Sequence, residues 1–299
     1  MRIVFAGDIV GNQALKAVCR WIERLNQEHF ADFYIVNGEN AAEGSGITYQ
    51  QARQLLDAGV DCITLGNHSW GHWDLAKQIG REPRIVRPAN VPSGWPGASS
   101  YLLERDGRQL IVLSLLGSVF MRGYLSPFTY LDNFIGEIES LHPGAAILVD
   151  FHAEATAEKQ ALAWNFDGRV AAVLGTHTHV QTADEHILPS GTAYISDVGM
   201  CGPRDSVIGM DIEQSLRRFV QGLPAAYRCA RSPLGIRAVC LDIDHTGACR
   251  YIERIQIDEA SSGDWLKTAP LIPCLENLTE IVSKEDIHEE KRDETRNHE

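Results

Sequence analysis

Five apolar runs of this sequence each end in side chains of the types that bind metal ions. In chain order, these side chains are Asp8, Glu39 with Asn40, Asn67 with His68, His152, and His177 with the nearby His179. Carboxylates, amides and imidazoles together suit borderline divalent ions such as Mn, Fe, Zn or Co. The sequence therefore predicts a metal centre at the ends of five strands.

The number of candidate ligands favours two ions over one, because a lone catalytic zinc uses only three or so protein ligands. One carboxylate would then bridge the two ions. A pair of ions about 4 Å apart can hold a hydroxide and clamp the attacking and leaving oxygens at phosphorus. In an extended chain, the alternation of the segment THTH would place His177 and His179 on one side, each facing a different ion.

His68 has a separate predicted role, because it follows Asn67 in the sharp turn GNHSW and can lean over the site without binding metal. It is a candidate general acid for the departing alkoxide. Arg87 in the segment VRPAN is a candidate phosphate contact. Asp150 and Glu154 flank His152 and are candidates for orienting the metal ligands by hydrogen bonds without binding the metal themselves.

Alternating strands and helices must position these side chains. Short apolar runs alternate with helical patterns near 12–29 and 48–59, which predicts βαβ units and mostly parallel strands. The pair Asp106-Gly107 and the later segment DHTG each predict an antiparallel hairpin, the second preceded by a helix near 211–221. We therefore predict an α/β fold with two mixed sheets packed face to face, helices outside, and the site at the carboxyl ends of the strands.

The composition and charge restrict the partners and the compartment that we expect for this protein. The chain has 299 residues, 44% of them hydrophobic, with 27 basic against 40 acidic residues and a net charge of −13. Such a charge argues against a long nucleic acid partner, and no apolar run is long enough to span a bilayer. Seven cysteines without a CxxC pair indicate reduced thiols, and together these features predict a cytoplasmic protein.

The motifs GD, GEN, GNH, a lone histidine and GTHTH occur in an order that resembles the calcineurin-like metallophosphoesterases. Within them, the longer segments NGENAAEGSGIT, VDFHAEATAEKQAL and GTHTHVQTADEHILPSGTAYISDVGM are most similar to the YmdB-like bacterial phosphodiesterases. The resemblance covers roughly residues 1–257. The segment NQAL after GDIVG departs from the Pro-Gly-Arg stretch of many relatives, which leaves a phosphate contact in that loop open.

The resemblance implies a four-layer α-β-β-α sandwich over residues 1–258 that holds two divalent ions, iron or manganese. The remaining residues 259–299 are expected to be a charged extension, disordered from about 284. The implied bridging ligand is Glu39. The implied ligands are Asp8, Asn40 and His179 for one ion and Asn67, His152 and His177 for the other, with His68 as the acid.

The predicted activity is hydrolysis of small phosphodiesters, including 2′,3′-cyclic nucleotides, by attack of a metal-activated hydroxide on phosphorus. Two alternatives stay open from the residues: a metal-dependent nucleotide sensor with little turnover, and a metallohydrolase of another bond. The sequence also leaves open the physiological substrate, the metal used in the cell and whether the chain forms a homo-oligomer.

Overall fold

The structure is a computed structural model and describes residues 1–259. The helices are α1 (Gly11–Gln27), α2 (Tyr49–Asp57), α3 (Trp73–Gln78), α4 (Pro127–Leu141), α5 (Thr156–Asn165) and α6 (Ile212–Phe219). The strands are β1 (Arg2–Ala6), β2 (Asp8–Ile9), β3 (Phe33–Asn37), β4 (Cys62–Thr64), β5 (Ile85–Val86), β6 (Ser100–Arg105), β7 (Arg108–Leu116), β8 (Ala146–His152), β9 (Ala172–Thr176), β10 (His186–Ile187), β11 (Ala193–Ile195), β12 (Met200–Pro203), β13 (Leu234–Ile243) and β14 (Cys249–Asp258).

The strands form two mixed sheets. The first has the order β2-β12-β13-β1-β3-β4-β5, with β14 also paired to β13, and its strands β1, β3, β4 and β5 run parallel. The second has the order β10-β11-β9-β8-β7-β6, with β7, β8, β9 and β11 parallel. The parallel strands of each sheet therefore end along one edge, which is where the predicted site residues lie.

The two sheets bury a shared core between them. Phe5 and Ile35 of the first sheet belong to the same buried cluster as Leu148 and Leu174 of the second. Successive side chains of a strand point to opposite faces, so Val149, next to Leu148, instead belongs to the cluster that α4 and α5 cover. Burial on both faces explains why the central strands are continuous apolar runs instead of alternating ones.

Local sequence signals set several of the element boundaries. Thr48 opens α2 with a capping box, in which its side chain accepts from the backbone N–H of Gln51 and the Gln51 side chain accepts in return. Asp106 and Gly107 both have positive φ, at 52° and 72°, and join β6 to β7 in the predicted tight hairpin. The segment DHTG likewise joins β13 to β14.

The observed architecture confirms the predicted α/β fold with two packed sheets and outer helices. The prediction for the extension after residue 258 falls, apart from Glu259, outside the described residues. In the part of the chain that the structure describes, no helix is both long and apolar enough to cross a membrane.

Candidate metal centre

The side chains predicted to bind metal meet at the carboxyl ends of the parallel strands. His152 is the last residue of β8 and His177 follows the last residue of β9, so these histidines come from adjacent strands of the second sheet. Glu39 follows β3, and Asp8 follows β1 after one glycine, so the carboxylates come from the first sheet. The site therefore lies where the two sheets face each other, as the sequence predicts.

Glu39, His152 and His177 form the centre of the cluster, since one ligand atom from each lies within 4.8 Å of the others. Oε1 of Glu39 is 3.0 Å from Nε2 of His152, and that nitrogen is 3.0 Å from Nδ1 of His177. Oδ1 of Asn67 lies 2.8 Å from the same His152 nitrogen. Four side chains of types that can bind metal thus direct nitrogen and oxygen atoms to one small volume.

Asp8 is completely buried at the edge of this cluster. Its Oδ2 accepts from the backbone N–H of His177 at 3.2 Å, and its Oδ1 lies 3.9 Å from ring nitrogens of both His152 and His179. Within residues 1–259, this Oδ1 is the buried side-chain atom that lacks a hydrogen-bond partner. A buried, unpaired carboxylate oxygen is costly, and a divalent cation is the ligand that would compensate it. The residues present therefore fit a metal ion.

Asn40, His179 and His68 complete the other side of the site. Nδ2 of Asn40 is 3.1 Å from Nε2 of His179, and Oδ1 of Asn40 is 3.0 Å from Nδ1 of His68. His68 also approaches Oε1 of Glu39 at 3.4 Å, and its side chain is 42% exposed. His68 thus lies over the site from the turn after β4, as predicted, with one ring edge anchored and the rest open to solvent.

The lack of space around position 66 explains why a glycine precedes Asn67 in this turn. A Cβ at position 66 would lie 2.5 Å from Nε2 of His152 and still closer to Oε2 of Glu39. Any side chain here would enter the volume to which the ligand atoms point. The close approach of backbone to ligand atoms, and not the backbone angles, therefore requires glycine.

A buried hydrogen-bond chain orients His152 from behind. Nδ1 of His152 is 2.9 Å from Oγ1 of Thr176, whose hydroxyl donates to Oδ1 of Asp150 at 2.7 Å. The other Asp150 oxygen accepts from Nδ2 of Asn37 at 2.9 Å. These partners fix the ring with Nε2 towards the site, so the predicted orienting role of Asp150 has a geometric basis. Glu154 is 50% exposed and contacts Nε2 of His177 at 3.1 Å.

The route by which His177 and His179 reach the site differs from the predicted extended chain. Strand β9 ends at Thr176, and both histidines have positive φ, at 101° and 66°. This region is unfavourable for residues with a Cβ, so tertiary contacts must hold the loop. The alternation rule was wrong here because it applies only to extended backbone.

Asp197 and Lys159 supply those contacts. Oδ2 of Asp197 accepts from the backbone N–H of Thr178 at 2.9 Å and from its hydroxyl at 2.8 Å. Lys159, 1% exposed, donates to Oδ2 of Asp197 at 2.9 Å and to the carbonyl of Thr176 at 2.8 Å. This buried ion pair therefore holds the loop by hydrogen bonds to Thr176 and Thr178, the residues on either side of His177.

Burial and neighbouring charges perturb the titration of the whole cluster. Burial raises the pKa of Asp8 to about 6, against the effect of His179. Burial also acts to raise the pKa of Glu39, but the imidazoles of His152 and His68 together outweigh it and hold that pKa well below its usual value. For His152 itself, burial is opposed and outweighed by Glu39 together with Asp8 and Asp150, and its pKa is raised to about 9. Burial and His152 together lower the pKa of His177 to about 3.

The hydrogen-bonding contact with Glu39 raises the pKa of His68, which outweighs the opposing effect of partial burial. Burial raises the pKa of Asp150. Arg87, a candidate phosphate contact from the sequence, instead lies buried and donates to the carbonyls of Pro88, Trp95 and Pro96. Its guanidinium holds a loop and does not face the site.

Sequence reasoning missed the Lys159–Asp197 pair. Asp197 comes shortly after β11, so the same strand-end signal that identified Asp8 could have found it. Lys159 carried no such signal, because a lysine on a short helix normally faces solvent.

The chain is similar in sequence and fold to several known proteins. The sequence model of the YmdB-like protein family matches residues 4–255. A Bacillus subtilis (strain 168) protein named 2′,3′-cyclic-nucleotide 2′-phosphodiesterase is 44% identical over 260 residues, which are 87% of this chain and 98% of that protein.

Two solved structures share the fold over most of their length. The crystal structure of a protein from Thermus thermophilus has a TM-score of 0.81 and 39% identity, and covers 87% of this chain and 100% of its own. That of a phosphatase from Mycoplasma pneumoniae has a TM-score of 0.80 and 35% identity, and covers 89% of this chain and 96% of its own.

Proposed function

Because this chain belongs to the YmdB-like protein family, we propose that it is a metal-dependent phosphodiesterase that hydrolyses small phosphodiesters, including 2′,3′-cyclic nucleotides. The observation that carries the proposal is the convergence of Glu39, His152 and His177 beside the unpaired, buried Oδ1 of Asp8. Carboxylate and imidazole ligands at the ends of several strands are typical of hydrolytic divalent-metal sites.

Two ions, iron or manganese, are the proposed cofactor. Glu39 is the proposed bridge, because its carboxylate lies between His152 on one side and the Asn40–His68 pair on the other. The proposed ligands are Asp8, Asn40 and His179 for one ion and Asn67, His152 and His177 for the other. Bound ions would supply Lewis acidity towards the phosphate oxygens and an activated water at neutral pH.

His68 is the proposed general acid. Asn40 and Glu39 hold its Nδ1, so the ring is fixed while its other edge faces the open side of the site. From there it can give a proton to the leaving oxygen, a contribution that is usually worth about 10²–10⁴-fold in rate. The orientation of His68 by two site residues supports a role in protonation instead of metal binding.

The proposal is tested by elemental analysis together with a substrate panel. We expect close to two ions per chain, turnover of bis(p-nitrophenyl) phosphate and of adenosine 2′,3′-cyclic phosphate, and no comparable turnover of p-nitrophenyl acetate. Comparison with adenosine 3′,5′-cyclic phosphate measures the preference for ring size. Ester hydrolysis without phosphodiester hydrolysis, or nucleotide binding without turnover over hours, would overturn the proposal.

A matched pair of histidine variants links the metal to the activity. His152→Gln removes a buried proposed ligand and is expected to lower both metal content and turnover. His245→Gln changes an exposed histidine in the β13–β14 turn and should leave both unchanged. Full metal content and full turnover in His152→Gln would remove His152 from the proposed centre.

A further inference from the structure

A pocket lined largely by aromatic side chains opens beside the proposed metal centre. Its volume is about 530 Å³, within the range of small-ligand pockets. Asn67 and His177 form part of its wall, so the pocket is continuous with the site. Trp70, Trp95 and Tyr124 line it further out.

The aromatic rings of this pocket form an edge-to-face ladder. The ring centroids of Trp70 and Trp95 are 5.5 Å apart at 74°, and those of Trp95 and Tyr124 are 5.2 Å apart at 73°. The buried guanidinium of Arg87 donates to the Trp95 carbonyl at 3.3 Å and fixes the loop that carries this ring. The three rings therefore support one another and form one continuous aromatic surface.

The loop between β7 and α4 brings Phe120 and Arg122 to the same pocket. Both ends of this loop are anchored: Glu158 accepts from the backbone N–H of Ser118 at 2.8 Å, and Asn90 donates to the carbonyl of Leu125 at 2.9 Å. Between the anchors, Phe120 is 89% exposed and has a φ of 60°. The left-handed backbone at Phe120 is a conformation that clusters at functional sites, and it leaves the ring free to contact a ligand in the pocket.

The charge of the pocket suits an electron-rich, anionic ligand. The guanidinium of Arg122 lies 5.7 Å from the ring centroid of Tyr124, and no acidic group in the described part of the chain pairs with it within 4.0 Å. No acidic side chain is among the described residues that line the pocket. Cation and π surfaces are thus both available to a ligand.

A second pocket, of about 330 Å³, lies on the His179 side of the site and has a different character. No Phe, Tyr or Trp is among the described residues that line it. Its two arginines, Arg204 and Arg237, are each paired with Asp258, at 3.8 and 2.7 Å. An aromatic ligand group would therefore bind on the Asn67–His177 side.

We propose that the aromatic pocket binds the nucleobase of the substrate by stacking, with Phe120 and Trp95 as the principal contacts. This inference rests on the proposed phosphodiesterase function, because it places the scissile phosphate at the metal centre and the base next to it. Stacking on aromatic side chains tolerates any base, since every base has a π face. The pocket therefore selects nucleotides over base-free phosphodiesters, with purines favoured over pyrimidines for their larger ring area.

The test compares adenosine 2′,3′-cyclic phosphate with glycerol 1,2-cyclic phosphate, which has the same five-membered cyclic diester and no base. We expect Phe120→Ala to lower the ratio of the two kcat/KM values by about tenfold, about 1.4 kcal/mol, mainly through KM for the nucleotide. Phe120 is exposed, so its truncation should not impair folding. Phe219→Ala, which removes a ring that is 82% exposed on α6, is the matched control and should leave the ratio unchanged.

A binding measurement independent of turnover accompanies the kinetics. Adenosine 3′-monophosphate should quench the tryptophan fluorescence of the wild-type protein, and Trp95→Leu should remove most of that quenching. Wild-type turnover of both diesters with the same ratio in Phe120→Ala would overturn the base pocket and leave the proposed function standing. Turnover of neither diester would overturn the proposed function, and absence of quenching would then overturn the pocket as well.

Discussion

Lys159→Met is the sharpest test of how the fold holds the proposed ligands in place. The ammonium of Lys159 is buried and bonds to Asp197 and to the carbonyl of Thr176, directly before His177. Methionine keeps most of the length and apolar volume of the side chain but removes the charge. The carboxylate of Asp197 would then stay buried without its counter-charge.

The expected cost follows from this geometry. Breaking one side of a buried ion pair typically costs about 3–5 kcal/mol, because the remaining charge is left uncompensated in a poorly polarisable interior. Since Asp197 keeps its hydrogen bonds from Thr178 and from the backbone N–H of Gly199, we expect about 3 kcal/mol. The double variant Lys159→Met/Asp197→Asn removes both charges and should recover about 1 kcal/mol of that loss, because the amide oxygen can accept from Thr178 while the NH2 group then faces the N–H donor of Gly199.

Urea unfolding of metal-depleted protein at pH 7.5 measures this free energy without a contribution from bound ions. Arg169→Met is the matched control: its ion pair with Asp132 is also short, at 2.7 Å against 2.9 Å, but the side chains are 41% and 61% exposed. An exposed pair of this kind is worth less than about 1 kcal/mol. The control should therefore unfold close to the wild type.

A second readout separates positioning from general stability. The double variant lacks the Lys159 hydrogen bond to the Thr176 carbonyl, so Mn²⁺ affinity measured by calorimetry should fall by about 10–100-fold even where stability partly recovers. A Lys159→Met cost below about 1 kcal/mol would refute the energetic reasoning. Unchanged Mn²⁺ affinity in the double variant would refute the positioning role of the pair.

Three further outcomes are expected. Gly66→Ala should keep the fold but lose bound metal, because the added methyl enters the space between Glu39 and His152; retained metal in elemental analysis would contradict this. His68→Ala should lower kcat by about 100-fold with metal content intact, and an unchanged rate would remove His68 from the mechanism. Gly136→Ala, on α4 with no atom near the new methyl, should raise the free energy of unfolding by about 0.5–1 kcal/mol in urea. A decrease would show that a contact opposes the alanine.

The types and approximate places of the predicted site residues came from local patterns. A parallel strand buried on both faces is an apolar run, and the polar residues at or just after its end lie at the edge where parallel strands end together. Asp8, Glu39, His152 and His177 each follow that rule, and the structure brings them together at one edge. The tight hairpin at Asp106 was equally accessible, because its signal lies in adjacent residues.

Long-range contacts decided what local patterns could not. His177 reaches the site through a left-handed backbone that its own sequence disfavours, and Asp197 and Lys159, both distant in the chain, hold it there. Arg87 looked like a phosphate ligand but is enclosed by carbonyls of its own loop.

The sequence by itself determined which carboxylate, amide and imidazole side chains this protein brings to the ends of its strands. The burial of a strand and the direction of the chain can both be recognised from neighbouring residues. Only the tertiary structure decided how the loop that carries His177 and His179 is held. It also decided that Trp70, Trp95 and Phe120 line one pocket. The physical reason is that these arrangements depend on hydrogen bonds, buried charge and ring packing between segments far apart in the chain. The energies of such contacts exceed the local preferences that a sequence pattern reports.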